Sequence, residues 1–238
     1  MSAFNVISFE SLAASSSATF APLSFGTPYP TNPGLRRIQA AVKRLTDIVL
    51  AATGLAILGI PMLLLAMVMH LQGDGPVLFR QTRIGLHNRA FTMLKFRTMR
   101  VAADEPAATC RQVTRGDPRV TRLGRLLRRT SLDELPQLLN VLAGSMSLVG
   151  PRPHAPGTCA AGYPFETLSD RYAERHCVKP GMTGLAQVRG WRGETDTVEK
   201  LLHRIDSDLE YIATWSLGRD LLIIGRTVTA VLLMRNAY

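Results

Sequence analysis

The longest feature in the pattern of apolar and polar positions is an unbroken apolar run. Ile48 to Met69, "IVLAATGLAILGIPMLLLAMVM", holds 22 residues without a charge, about the length that crosses a hydrocarbon core of roughly 30 Å. Gly59 and Pro61 lie near its middle, where a proline removes a backbone donor and bends or breaks a helix. Arg36, Arg37, Lys43 and Arg44 precede the run and Arg80, Arg83 and Arg89 follow it, so both flanks carry the cytoplasmic signature of basic residues. Two arrangements satisfy these marks: a re-entrant helix bent near Pro61 that returns to the face it entered, or a kinked spanning helix with a cytoplasmic C-terminal domain.

Shorter periodicities follow. Apolar residues alternate on either side of a glycine-containing turn, which predicts a β-hairpin from Pro76 to Arg83 and Ala90 to Phe96. "DPRVTRLGRLLRRTS" places Val120, Leu123, Leu126 and Leu127 on one helical face and arginines on the other; this fits a basic amphipathic helix lying on an anionic membrane and equally a core-facing helix with a solvated back. The next segment predicts a helix up to Gly144, a strand-like "SLVG" and a rigid "GPRP" turn. Residues 220–234, apolar but interrupted by Arg226, are too short for a confident span and predict an interfacial or packing helix. Residues 1–35 carry one charge, Glu10, and no basic region ahead of an apolar run, so they predict a flexible tail and not a secretory signal. The organisation expected is a tail over 1–40, a membrane helix over 41–72 and a cytoplasmic catalytic domain over 73–238. The fold class is α+β, mainly helical, with a small hairpin.

Charge changes the picture. The net charge is +10, and between Arg80 and Arg129 thirteen Lys or Arg face only Asp104, Glu105 and Asp117. Such a block calls for anionic company: lipid headgroups, nucleic acid or a phosphorylated substrate. Nucleic acid fits poorly, because no stacking aromatics interleave the arginines and no helix-turn-helix or zinc pattern is present. The three cysteines show no C-x-x-C spacing and indicate neither a disulfide frame nor a zinc ribbon. No glycine-rich phosphate loop occurs, so a nucleotide substrate would have to be held by arginine and a metal.

The candidate chemistry sits in "TSLDEL". Ser131 to Glu134 reads as S-x-x-E, a capping box, and Asp133 would favour a first helical turn. Pro136 fits that purely structural account imperfectly, being late for a cap at Ser131. A carboxylate beside Arg128, Arg129 and Arg152 has another use. It can attack phosphorus and split a difficult transfer into two steps, provided Mg²⁺ and guanidinium groups neutralise the phosphates.

The succession "KRLTDIVLA", "GPVLFRQTRIG", "FTMLKFRTM", "DPRVTRLGRLLRRTSLDELPQLLNVL", "SLVGPRPH", "KPGMTGLAQV" and "YIATWSL" closely resembles the bacterial sugar transferases of the monotopic phosphoglycosyl transferase family, over roughly residues 41 to 238. The resemblance implies transfer of a sugar 1-phosphate from a UDP-sugar to undecaprenyl phosphate at the bacterial inner membrane, as the first membrane step of a surface glycan. It also implies a re-entrant helix bent at proline and a ping-pong route through an aspartyl intermediate.

By the same resemblance the family's Asp-Glu dyad falls on Asp133 and Glu134, with Asp133 the nucleophile and Mg²⁺ contact; neighbours on a helix stand about 100° apart and need not point at one atom, which assigns Glu134 to orienting or proton handling. Lys95, Arg128, Arg152 and Asp220 fall on substrate-binding positions, with a structural role left open for Asp220 and for Asp208. "GWRGETDT" and the final "NAY" resemble the branch that transfers glucose 1-phosphate. Leu185 and Arg189 depart from that branch and leave galactose or an N-acetylated sugar as alternatives; Ile60 ahead of Pro61 departs only in the detail of the bend. A homodimer is compatible with the sequence but not indicated by it, and a catalytically silent membrane scaffold is the non-enzyme alternative.

Overall fold

The computed structural model describes residues 33–73, 75–100 and 116–232. Helix α1 (Pro33–Leu71) contains the whole apolar run and carries Pro61 inside it. It is the one helix among the described residues long and apolar enough to cross a membrane. It starts eight residues before the predicted boundary of the tail, because Leu35, Ile38, Val42 and Leu45 already repeat at helical spacing and Pro33 suits a first turn. Residues 1–32 lie outside the described residues.

Both arms of α1 contact the same body. On the N-terminal side, Ala51 and Leu55 pack with Leu138, Val141 and Met146. On the C-terminal side, Met62, Leu65 and Met69 pack with Phe96 and Leu127. The intervening outward residues Ile57, Ile60 and Leu63 are about seven-tenths exposed. Polar residues fasten the first arm. Arg44 donates to the carbonyls of Val141 (2.6 Å) and Leu142 (2.8 Å), and buried Asp47 accepts from the Ser147 hydroxyl and the Leu148 amide.

Strands β1 (Leu78–Ile84) and β2 (Ala90–Phe96) form the antiparallel hairpin, with Phe79 opposite Lys95. Along β2 the period of two puts Phe91, Met93 and Lys95 on one face; the first two join the α3 core and carry Lys95 toward the same side. Helix α2 (Arg122–Thr130) is capped by the Thr121 hydroxyl, which accepts from the Gly124 amide. Its buried face is narrower than predicted. Leu123 and Leu127 turn inward, Leu126 is exposed among the arginines, and Val120 lies outside the helix in a bridge with Met99. Gly124 permits the close crossing, since a Cβ there would stand 2.1 Å from the Thr98 carbonyl oxygen.

After a 3-10 turn (Leu132–Glu134) comes α3 (Gln137–Ala143), whose Asn140 completes the free edge of β2 by accepting from the Leu94 amide and donating to the Thr92 carbonyl. Strands β3 (Ser147–Val149) and β6 (Gly181–Thr183) pair in parallel, and β4 (Cys159–Ala160) pairs with β5 (Tyr163–Pro164). Gly150 and Gly181 let the β3 and β6 backbones approach so closely that a Cβ on Gly181 would meet Gly150 at 2.1 Å. The short α4 (Leu185–Val188), α5 (Val198–Ala213) and α6 (Leu217–Leu232) close the second half of the core around Val149, Phe165, Leu201, Ile205 and Ile223.

The mainly helical α+β expectation holds. Cys177 is free.

Candidate active site

The capping-box reading of "TSLDEL" does not survive the structure. Ser131 ends α2 in the left-handed conformation (φ 58°), and its side chain caps no helix. Its hydroxyl instead accepts from Arg192 at 3.1 Å. The left-handed residue reverses the chain and starts the 3-10 turn, in which successive side chains diverge by about 120°. Asp133 and Glu134 therefore point into different surroundings.

Glu134 meets cations. Lys95 donates to its Oε1 at 2.9 Å, Arg152 donates to Oε2 at 3.2 Å, and a second Arg152 nitrogen bonds Oε1. Burial pushes its carboxyl pKa up, but Arg152 and then Lys95 outweigh burial and hold it well below the usual range. Glu134 is thus an ion-paired anchor that fixes both cations in place. Lys95 itself is lowered by burial, with Glu134 supporting its charged form.

Asp133 is only 7% exposed. No hydrogen-bond donor among the described residues is set against its carboxylate. Burial raises its pKa to about 6, Lys95 pulls it back, and the negative neighbour Glu134 adds to the rise. The result is a carboxylate still mostly ionised at neutral pH, with unused lone pairs, in the field of Lys95, Arg128 and Arg152. Arg128 is steadied by its bond from Nε to the Thr98 hydroxyl at 2.8 Å. Two adjacent acids thus receive opposite environments, the arrangement by which proteins give two carboxylates two roles.

Several neighbours were not evident from the sequence. Arg83 lies beside Arg152, donating to the Pro153 carbonyl (3.1 Å) and to Gln81; burial and then Arg152 push its pKa down to about 10, which leaves it charged. Arg175, buried at 1% exposure, pairs with Asp208 and donates to the Arg152 carbonyl and to His154 Nδ1. Burial, followed by Arg175, holds the His154 pKa well below the ordinary value. Arg192 reaches Ser131 from the "GWRGETDT" segment.

The structure therefore brings Asp133, Glu134, Lys95, Arg128 and Arg152 together and leaves Asp220 apart. Asp220 accepts from Lys43 (2.6 Å), Tyr211 (2.8 Å) and Trp215 (3.1 Å) instead. That network fastens α1 to α6 and reaches the Val149 carbonyl through Lys43 and Tyr211. Asp208 reaches the cluster only through Arg175. Position near the C-terminus did not separate these buried acids from a substrate-facing one; their partners do.

A sequence profile of the bacterial sugar transferases matches residues 38–234. The chain belongs to this family. A UDP-glucose:undecaprenyl-phosphate glucose-1-phosphate transferase of Caulobacter vibrioides is 53% identical to this sugar transferase over 196 residues, 82% of this chain and 72% of the relative. A protein of the same name from Escherichia coli is 47% identical over 204 residues, 86% of this chain but 43% of the relative. The exopolysaccharide production protein PSS of Rhizobium leguminosarum bv. phaseoli is 47% identical over 195 residues, 82% of this chain and 97% of the relative. The chain thus spans less than half the length of the Escherichia coli protein. The two departures that bear on the sugar lie off the carboxylate cluster: Leu185 is buried in the second core and Arg189 pairs with Glu210.

Proposed function

We propose that this sugar transferase moves a sugar 1-phosphate, glucose 1-phosphate first, from a UDP-sugar to undecaprenyl phosphate and releases UMP. The observation that carries the reading is the split between two neighbouring acids, with Glu134 consumed by Lys95 and Arg152 and Asp133 left without a donor. In the first half-reaction an Asp133 carboxylate oxygen attacks the sugar-bearing phosphorus, and the diphosphate P–O bond breaks toward UMP. In the second, an oxygen of the lipid phosphate attacks the same phosphorus, the Asp133 O–P bond breaks and the carboxylate is regenerated. Arg152, Lys95 and Arg128 hold the phosphate oxygens as charge shifts between them.

The donor set suits magnesium. No cluster of three or more His, Cys, Asp or Glu among the described residues could form a cage, but Mg²⁺ keeps most of its waters and needs only one or two carboxylates plus substrate phosphates. Asp133 has the free lone pairs for this. The ion, when bound, would supply neutralisation of the diphosphate.

The membrane reading rests on α1. Its two arms pack on one body while its middle is exposed and apolar, which favours a helix that dips into one leaflet over one that leaves the domain for the far side. The basic flank on each side supports a body on the cytoplasmic face of the inner membrane. There the dyad meets a lipid phosphate at the headgroup plane and a soluble UDP-sugar from the cytosol. The test is UMP release from a panel of UDP-sugars by the protein in nanodiscs containing undecaprenyl phosphate. Release with UDP-glucose alone supports the reading, release with UDP-galactose or an N-acetylated sugar keeps the chemistry and changes the sugar, and no release with any donor refutes it in favour of a silent scaffold.

A further inference from the structure

The turn that carries Arg152 is held at four successive carbonyls, by β6, by the 3-10 segment Tyr172–Cys177 and twice by β1. Pro151 accepts from the Gly181 amide (2.9 Å), Arg152 from Arg175 Nη2 (2.8 Å), Pro153 from Arg83 (3.1 Å) and His154 from the Ile84 amide (3.1 Å). Two of the four partners are backbone amides fixed by strand pairing. Arg175 differs from both, because a side chain keeps its aim only if something fixes it.

Asp208 of α5 does that: its Oδ2 accepts from Arg175 Nε at 3.1 Å and from Nη2 at 2.5 Å. Both side chains are almost wholly buried, at 1% and 3% exposure. Tyr172 packs under the guanidinium, 5.4 Å from its ring centre. The remaining arm, Nη1, lies 2.7 Å from His154 Nδ1. A guanidinium can only donate, so His154 Nδ1 accepts and the ring is neutral with its proton on Nε2. Each of the three nitrogens of the Arg175 fork thus has a partner, on Asp208, on the Arg152 backbone and on the ring two residues later.

We propose that Arg175, aimed by Asp208, is a positioning residue for Arg152: it fixes the backbone from which the Arg152 guanidinium reaches Glu134 and the substrate phosphates. This rests on the proposed function for what Arg152 grips, but not for the geometry. Arg175 touches neither carboxylate of the dyad, so its effect on the dyad passes through the groups it holds, and of these Arg152 is the one that reaches Glu134. Lysine in its place keeps a charge for Asp208 and loses the fork, so the Arg152 carbonyl and His154 Nδ1 cannot both be served.

The experiment is a double-mutant cycle in full-length protein in nanodiscs, with Arg175→Lys and Arg152→Ala, read as kcat/KM for UMP release and as UDP affinity by calorimetry. Arg175→Lys alone is expected to lower kcat/KM by about 10- to 100-fold, the range for groups that orient a functional ligand. In the Arg152→Ala background it should cost less than about twofold. An equal loss in both backgrounds overturns the proposal, since Arg175 would then act independently of Arg152. So does a variant with a lowered melting temperature and unchanged kcat/KM and UDP affinity. Should Arg175→Lys fail to accumulate, Asp208→Asn carries the same cycle, keeping an acceptor for Arg175 while removing its charge partner. If the wild type releases no UMP, the proposed function has failed separately, and UDP affinity still decides the positioning.

Discussion

Asp133→Asn should abolish turnover and at the same time make the protein more stable at neutral pH. The side chain is 7% exposed, and burial raises its pKa from 3.8 to about 6. At about 1.4 kcal/mol per pK unit, that rise means ionised Asp133 costs the folded state about 3 kcal/mol relative to the unfolded chain at pH 7. The sign follows from the direction of the shift. The folded form prefers the proton, so the cost is absent below about pH 4, where both states are neutral, and grows to its full value as pH rises through about 6. Asparagine imitates the neutral carboxyl at every pH. The variant should therefore match the wild type near pH 4 and exceed it at pH 7, by roughly 6–12 °C in melting temperature for a domain of this size. The assay is thermal unfolding of both proteins in nanodiscs from pH 4 to pH 8. A variant no more stable than the wild type at pH 7, or a difference that does not change with pH, would refute the reasoning that Asp133 is a charge held at a cost for chemistry.

Glu134→Gln should behave oppositely. The pKa of Glu134 is depressed, so its pairing stabilises the fold above about pH 4.5 and is lost as pH falls below it; removing the charge strands Lys95 and Arg152, costs about 3–5 kcal/mol in urea unfolding at pH 7 and moves the acid limb of the Asp133 pH–rate profile below 6. Ser131→Ala should change stability by less than about 0.5 kcal/mol in the same unfolding assay, because the hydroxyl caps nothing and only meets Arg192. Gly124→Ala should destabilise by about 1–3 kcal/mol, since the new methyl collides with the Thr98 carbonyl; kcat should fall with it because Thr98 also holds Arg128.

How much of this was legible before the structure depends on how local the determining contacts are. The second strand of the hairpin, Ala90–Phe96, is found where its alternation put it, and the apolar run is helical throughout; both follow from nearest-neighbour periodicity. Ser131 misled because S-x-x-E describes a cap only if the serine backbone is extended, whereas here it is left-handed and closes the preceding helix. Leu126 was assigned inward by spacing alone, and no spacing shows that Gly124 presses α2 onto Thr98 and so rotates the buried face. Arg83, Arg175 and Arg192 reach the site over separations of dozens of residues, through parallel pairing of β3 with β6 and packing of α5. Asp220 carried the same signal as a functional acid until its partners, Lys43, Tyr211 and Trp215, showed a clamp on α1.

The central claim is that Asp133 becomes covalently bonded to phosphorus. The most direct measurement is mass spectrometry of protein incubated with UDP-glucose and Mg²⁺ in nanodiscs lacking lipid acceptor, followed by peptide mapping. The account predicts a hexose-phosphate adduct on the Asp133 peptide that hydroxylamine removes and undecaprenyl phosphate discharges. A preparation that releases UMP with lipid present yet never carries that adduct, or carries it on another residue, would contradict it.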